Sequence, residues 1–176
     1  TDGTESGTTL VKDIRSGTSS SSPMNFVVVG SELFFTAYDG TNGTELWKTD
    51  GTASGTTLVK DIYSGSTSSN PKALIEYNGK LYFHADDGTN GREIWVSDGT
   101  ASGTTIYQDL NSGSGNAIDW DEMSNVTGIH KSNNRLLFSA DNGTTGQELY
   151  SLFIDPSPTV SGVTSSTSDG TFKIGD

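Results

Sequence analysis

An acidic or amide residue and a glutamate frame the same short turn three times in this chain. The pairs are Asp39 and Glu45, Asp87 and Glu93, and Asn142 and Glu148, with two glycines inside each turn. Side-chain oxygens gathered around a glycine-rich turn are a ligand set that Ca2+ accepts. A structural reading competes with it. Asp and Asn cap tight turns through the turn's own amides, and the glutamate then pairs on the sheet. One copy per repeat favours the structural reading, because catalysis seldom needs the same group in every unit.

A second candidate lies where the sequence breaks its own pattern. Asp119, Trp120, Asp121 and Glu122 sit in a segment that the other copies lack. An indole beside carboxylates can stack on a sugar ring or help to hold Ca2+; the alternative is a loop that tucks its indole against the neighbouring unit. Other constellations are weak. His84 and His130 share no metal-ligand spacing. Arg15, Arg92 and Arg135 fall at non-equivalent positions, and no Ser-His-Asp or paired-carboxylate arrangement stands out. Asp13, Asp61 and Asp109 each precede a Ser-Gly turn and are expected to accept hydrogen bonds from it.

These residues are carried by a repeat. TDGTESGTTLVKDI at 1–14 returns as TDGTASGTTLVKDI at 49–62 and as SDGTASGTTIYQDL at 97–110, a period of 48 residues. Residues 1–48 and 49–96 align without a gap, with 28 of 48 positions identical. The third unit has gained seven residues, since Trp95 and Tyr150 are 55 apart. A unit of this length is a supersecondary structure that buries its apolar faces against copies of itself.

Within one unit the pattern predicts strands at 23–29, 33–38, 44–49 and 56–62. The second unit repeats them at 71–77, 80–86, 92–97 and 103–110, and the third at 124–130, 135–141 and 146–153. Apolar residues alternate as Leu33/Phe35/Ala37, Leu81/Phe83/Ala85 and Leu136/Phe138/Ala140. The opposite faces carry Phe34, Tyr82 and Leu137, so each sheet is expected to lie between two neighbours. The fold class is therefore all-β, a β-propeller-type repeat of four-stranded antiparallel blades. Residues 8–14 read as a fourth strand without its first three, and the third unit lacks a fourth. Joining them would give three blades, too tight a ring. Upstream units or a second chain are expected to complete it.

Composition excludes several classes. A net charge of −12 leaves no basic stripe for nucleic acid. The longest apolar run, Phe26–Val29, spans no membrane. There is no cysteine, so disulfides and thiolate chemistry are absent. Acidity with many Asp and Asn suits a secreted protein. The chain opens inside a repeat without Met, which reads as a piece of something longer.

ELWKTDGT at 45–52 and EIWVSDGT at 93–100 resemble the ELWxxDGT repeat family, and the resemblance covers about residues 1–154. The third copy, QELYSLF at 147–153, departs from it by lacking Trp and DGT. The resemblance implies a large secreted or surface-attached bacterial protein and no catalytic residue. The glycine turns are also similar to the Asp-box of sialidase-type propellers, which is structural. Residues 155–176 form a linker, and Pro158–Asp176 looks like the start of an Ig-like or cadherin-like adhesin repeat. The resulting expectation is a non-catalytic structural or adhesive extracellular module of a bacterial surface or matrix. It would contact other copies of itself or neighbouring surface proteins, with no cofactor unless Ca2+. The alternatives are a carbohydrate-binding propeller that holds polysaccharide through the Trp120 loop, and a non-catalytic part of a secreted hydrolase.

Overall fold

The computed structural model describes residues 3–118 and 128–154. Among these residues the fold is all-β, with three antiparallel sheets and no helix. The first sheet runs β1 (Met24–Val29), β2 (Glu32–Tyr38), β3 (Thr44–Thr49) and β4 (Thr57–Lys60), paired in that order. The second repeats it with β5 (Lys72–Tyr77), β6 (Lys80–Asp86), β7 (Arg92–Ser97) and β8 (Thr105–Gln108). The third has β9 (His130–Ser132), β10 (Arg135–Asp141) and β11 (Gln147–Phe153), with β10 central.

Local chemistry explains these meanders. Asn78 and Gly79 both take positive φ, 51° and 73°, which makes the tight hairpin from β5 to β6. The DGT turn builds itself from side chains. Asp50 accepts from the Thr52 amide and hydroxyl, and Thr52 in turn accepts from the Gly55 amide. Asp98, Thr100 and Gly103 repeat each of these bonds. In the leading copy, Gly7 donates to the Thr4 hydroxyl in the same way. β1 and β5 carry a bulge at equivalent places, where Asn25 and Ala73 have φ of 56° and 53°.

The register places the two faces of the middle sheet as the alternation predicts. Leu81, Phe83, Ala85 and Trp95 pack with Phe34, Leu46, Val59 and Ile62 of the first unit. On the other side, Tyr82 and Ile94 pack with Leu136, Phe138 and Ala140 of the third sheet. Full burial of each large apolar side chain contributes roughly 1.5–3 kcal/mol, so these two seams hold the sheets together.

Three expectations change. Residues 8–14 join no sheet among the described residues. They lie along the first one, with Ile14 against the cluster of Phe35, Ala37 and Trp47. A strand needs a partner edge, and none of the three sheets among the described residues offers one to this segment. It also leaves β11 without a fourth strand among the described residues. The fourth strands at 56–62 and 103–110 narrow to four residues each, and inside each pairing the ladder shifts register, between Leu46 and Trp47 and between Ile94 and Trp95. The first strand of the third unit, expected at 124–130, begins at His130; residues 124–127 lie outside the described residues.

Candidate functional site

Each glycine turn is closed by its own acid or amide. The Asp39 carboxylate accepts from the Thr41 and Asn42 amides, both at 2.8 Å, and from Asn42 Nδ2 at 2.7 Å. Asp87 makes the same three bonds with Thr89 and Asn90. Asn142 accepts from the Thr144 and Thr145 amides at 3.0 and 2.9 Å. Slight burial pushes the two aspartates up, but the donated bonds outweigh it and hold both below the usual carboxylate range.

The glutamates face elsewhere. Glu45 and Glu93 are fully buried and turn toward the connection that leaves their own sheet. Glu45 accepts from the Ile62 amide at 3.1 Å, from the Ser69 amide at 2.8 Å and from the Ser69 hydroxyl. Glu93 accepts from the Leu110 amide at 2.9 Å and the Ala117 amide at 3.2 Å. Leu110 and Ala117 stand one period after Ile62 and Ser69. Burial pushes both carboxyls up to about 7 despite these donors, and the nearby Asp61 and Asp109 charges add to the rise. The expected pairing of the glutamate on the sheet is thus replaced by a clamp on the connection.

The connection is held from both sides. Asn70 donates to the Thr44 carbonyl, and Thr44 donates to the Ser68 hydroxyl. The Ser69 carbonyl then accepts from Asp86 of the next sheet at 3.1 Å. In the second unit, Ala117 and Ile118 donate to the Arg92 carbonyl, and the Ala117 carbonyl accepts from Asp141. Residues 67–70 and 115–118 therefore act as straps, each tied to the sheet before it and the sheet after it. Gly43 and Gly91 make this approach possible. A Cβ on Gly43 would stand 2.5 Å from the Thr67 carbonyl oxygen, and one on Gly91 would collide with the Gly115 carbonyl.

Glu148 of the third unit is exposed, and the turn glycine beside it, Gly146, has open space around it. The structure thus places Asp39, Glu45, Asp87 and Glu93 in main-chain hydrogen bonding. Among the described residues no group of three or more His, Cys, Asp or Glu could hold a metal ion. Asp119, Trp120, Asp121 and Glu122 lie outside the described residues.

The remaining candidates are scattered. His84 is buried in β6 with neither ring nitrogen bonded, and burial lowers its pKa to about 4, which keeps it neutral. Arg15 lies 4.5 Å over the Tyr38 ring, Arg92 Nε donates to the Ile118 carbonyl, and Arg135 donates to the Ser151 hydroxyl. Asp13 and Asp61 accept from the Gly17 and Gly65 amides, as the Ser-Gly spacing predicts. Sequence reasoning missed the strap. Its one signal was the serine that returns 24 residues after the buried glutamate, and Ala117 hides that signal in the second unit.

Comparison with known proteins finds no matching family, no matching curated protein and no matching solved structure. No helix among the described residues is long and apolar enough to cross a membrane.

Proposed function

We propose that the chain is a β-propeller-type segment of a secreted bacterial surface or matrix protein, and that it works without catalysis as a spacer and contact surface. One observation carries this reading. The repeated carboxylates Asp39, Glu45, Asp87 and Glu93, which stand where chemistry would be sought, are engaged by backbone amides and a strap hydroxyl. Lone pairs so engaged are spent on the fold, and full burial keeps the two glutamates out of reach of a ligand. The two packed seams and the straps support a rigid stack of sheets, which is what a spacer requires. The secreted setting rests on the acidic composition and on the resemblance to ELWxxDGT repeats.

Calorimetric titration of the chain against a panel of soluble polysaccharides tests the reading. The expected result is no heat of binding. Saturable binding that disappears in Trp120→Ala would instead establish a carbohydrate-binding module.

A further inference from the structure

The two ends of the stack are complementary, and the seams inside the chain show how. At the β3 edge, β4 adds as the fourth strand, with Leu46 opposite Lys60, Trp47 opposite Leu58 and Lys48 opposite Thr57. The β7 edge receives β8 in the same register, with Ile94 opposite Gln108, Trp95 opposite Ile106 and Val96 opposite Thr105. Among the described residues the β11 edge receives nothing. Its Leu149 stands at the position of Leu46 and Ile94; those two are 0% and 1% exposed, whereas Leu149 is 76% exposed. Glu148 and Gly146 stand where Glu45 and Gly43 grip a strap.

The other end carries the missing half. Residues 9–12 repeat 57–60, and Ile14 and Ser21 stand one period before Ile62 and Ser69, the residues whose amides bind Glu45. Leu10 is 80% exposed, and Val11 is 44% exposed where its equivalent Val59 is 6%. This segment already has the pose of a fourth strand. Lys12 Nζ donates to the Thr56 carbonyl at 2.7 Å, and Lys60 Nζ donates to the Thr104 carbonyl at the same distance. The Ser21 carbonyl also accepts from Tyr38, as the Ser69 carbonyl does from Asp86. Beside the segment lies an apolar cleft of about 300 Å³ lined by Leu10, Ile14, Phe26, Leu33 and Phe35. In the next unit the equivalent surface, with Leu74, Leu81 and Phe83, is filled by Phe34 and Leu46 of the preceding sheet.

We infer that this chain binds a second copy of itself head to tail. Residues 9–12 of one copy add as the fourth strand to β11 of the other, setting Lys12 opposite Leu149, Leu10 opposite Tyr150 and Thr9 opposite Ser151. Glu148 then accepts the Ile14 and Ser21 amides, and Leu149 enters the cleft beside Phe26. The contact joins two different surfaces and completes a sheet, so edge hydrogen bonds and apolar burial act together. It rests on the reading of the chain as a contact module and names the partner of that module.

Thr9 and Ser151 are exposed, and the chain has no cysteine, so single substitutions at these sites report the contact without disturbing the core. Thr9→Cys and Ser151→Cys chains are mixed under mild oxidation. The expected product is a mixed disulfide formed several-fold faster than either homodimer, because residues facing each other across an antiparallel pair have adjacent Cβ atoms. Sedimentation of the unmodified chain should show association that Leu149→Asp abolishes, with tryptophan fluorescence unchanged. A folded monomer without the mixed disulfide, whether the β11 edge stays open or the chain's own residues 155–176 fill it, overturns the docking and leaves the spacer reading standing. Equal yields of all three disulfides overturn it as well. Polysaccharide binding would overturn the spacer reading and leave this result untouched.

Discussion

Glu45 and Ser69 are joined twice, through the Ser69 amide at 2.8 Å and through its hydroxyl. The same serine passes its carbonyl to Asp86 of the next sheet. One residue therefore links two sheets through its main chain, and the carboxylate that fixes it is fully buried. Stability of the stack depends on that carboxylate in a way that titration can read.

Glu45 and Glu93 titrate near 7 in the fold and near 4.5 when unfolded. Between those values the folded chain holds protons that the unfolded chain has released. The contribution is complete below pH 4.5 and is lost as pH rises through 7. The melting temperature should fall as pH is raised from 5 to 8, by an amount corresponding to a few kcal/mol for the two groups. Glu45→Gln with Glu93→Gln should flatten that slope. Thermal melts across this range decide it; a chain that gains stability toward pH 8 would refute the assignment.

The three turn glycines separate conformational strain from collision. Gly43, Gly91 and Gly146 all have positive φ, at 75°, 71° and 73°. Within its own chain, alanine at Gly146 meets only the strain, about 1–2 kcal/mol. Alanine at Gly43 or Gly91 also pushes a strap carbonyl aside and should cost several kcal/mol, on the scale of overpacked cores. Urea melts of the three variants should rank them in this order.

Ala73 holds a φ of 53° at the bulge of β5, where its counterpart in the first unit is Asn25. Glycine removes the Cβ penalty of that conformation and loses some of the gain to unfolded-chain entropy. Ala73→Gly should stabilise the chain by about 0.5–1 kcal/mol, visible as a melting temperature higher by a few degrees.

Asp39 and Asp87 spend their oxygens on turn amides, so calcium should add nothing at these turns. The melting temperature is expected to be the same in EDTA and in millimolar CaCl2. A calcium-dependent rise of several degrees that Asp39→Asn with Asp87→Asn removes would restore the ion to these sites.

Periodicity made the strands legible. Leu33, Phe35 and Ala37 alternate strictly, and β2, β6 and β10 form within a residue of where the alternation puts them. Phe34 and Tyr82 on the reverse faces foretold that the middle sheet has neighbours on both sides. The cap at Asp39 was readable too, because it acts within three residues of itself. Glu45 was not, because its partners are amides in a connection of nondescript serines and threonines, and main-chain donors leave no mark on residue type. Residues 8–14 misled for a related reason. Their side chains are those of a strand, but strand formation is decided by the edge beside them.

Ile118 and Ile129 are both buried in the seam between the second and third sheets, and the extra seven residues of the third unit fall between them. The second seam nevertheless sets Tyr82 and Ile94 against Leu136, Phe138 and Ala140, as the first sets Phe34 and Leu46 against Leu81, Phe83 and Ala85. The packing plan of a seam is thus written in the strands that flank it, and a longer linking sequence leaves that plan unaltered.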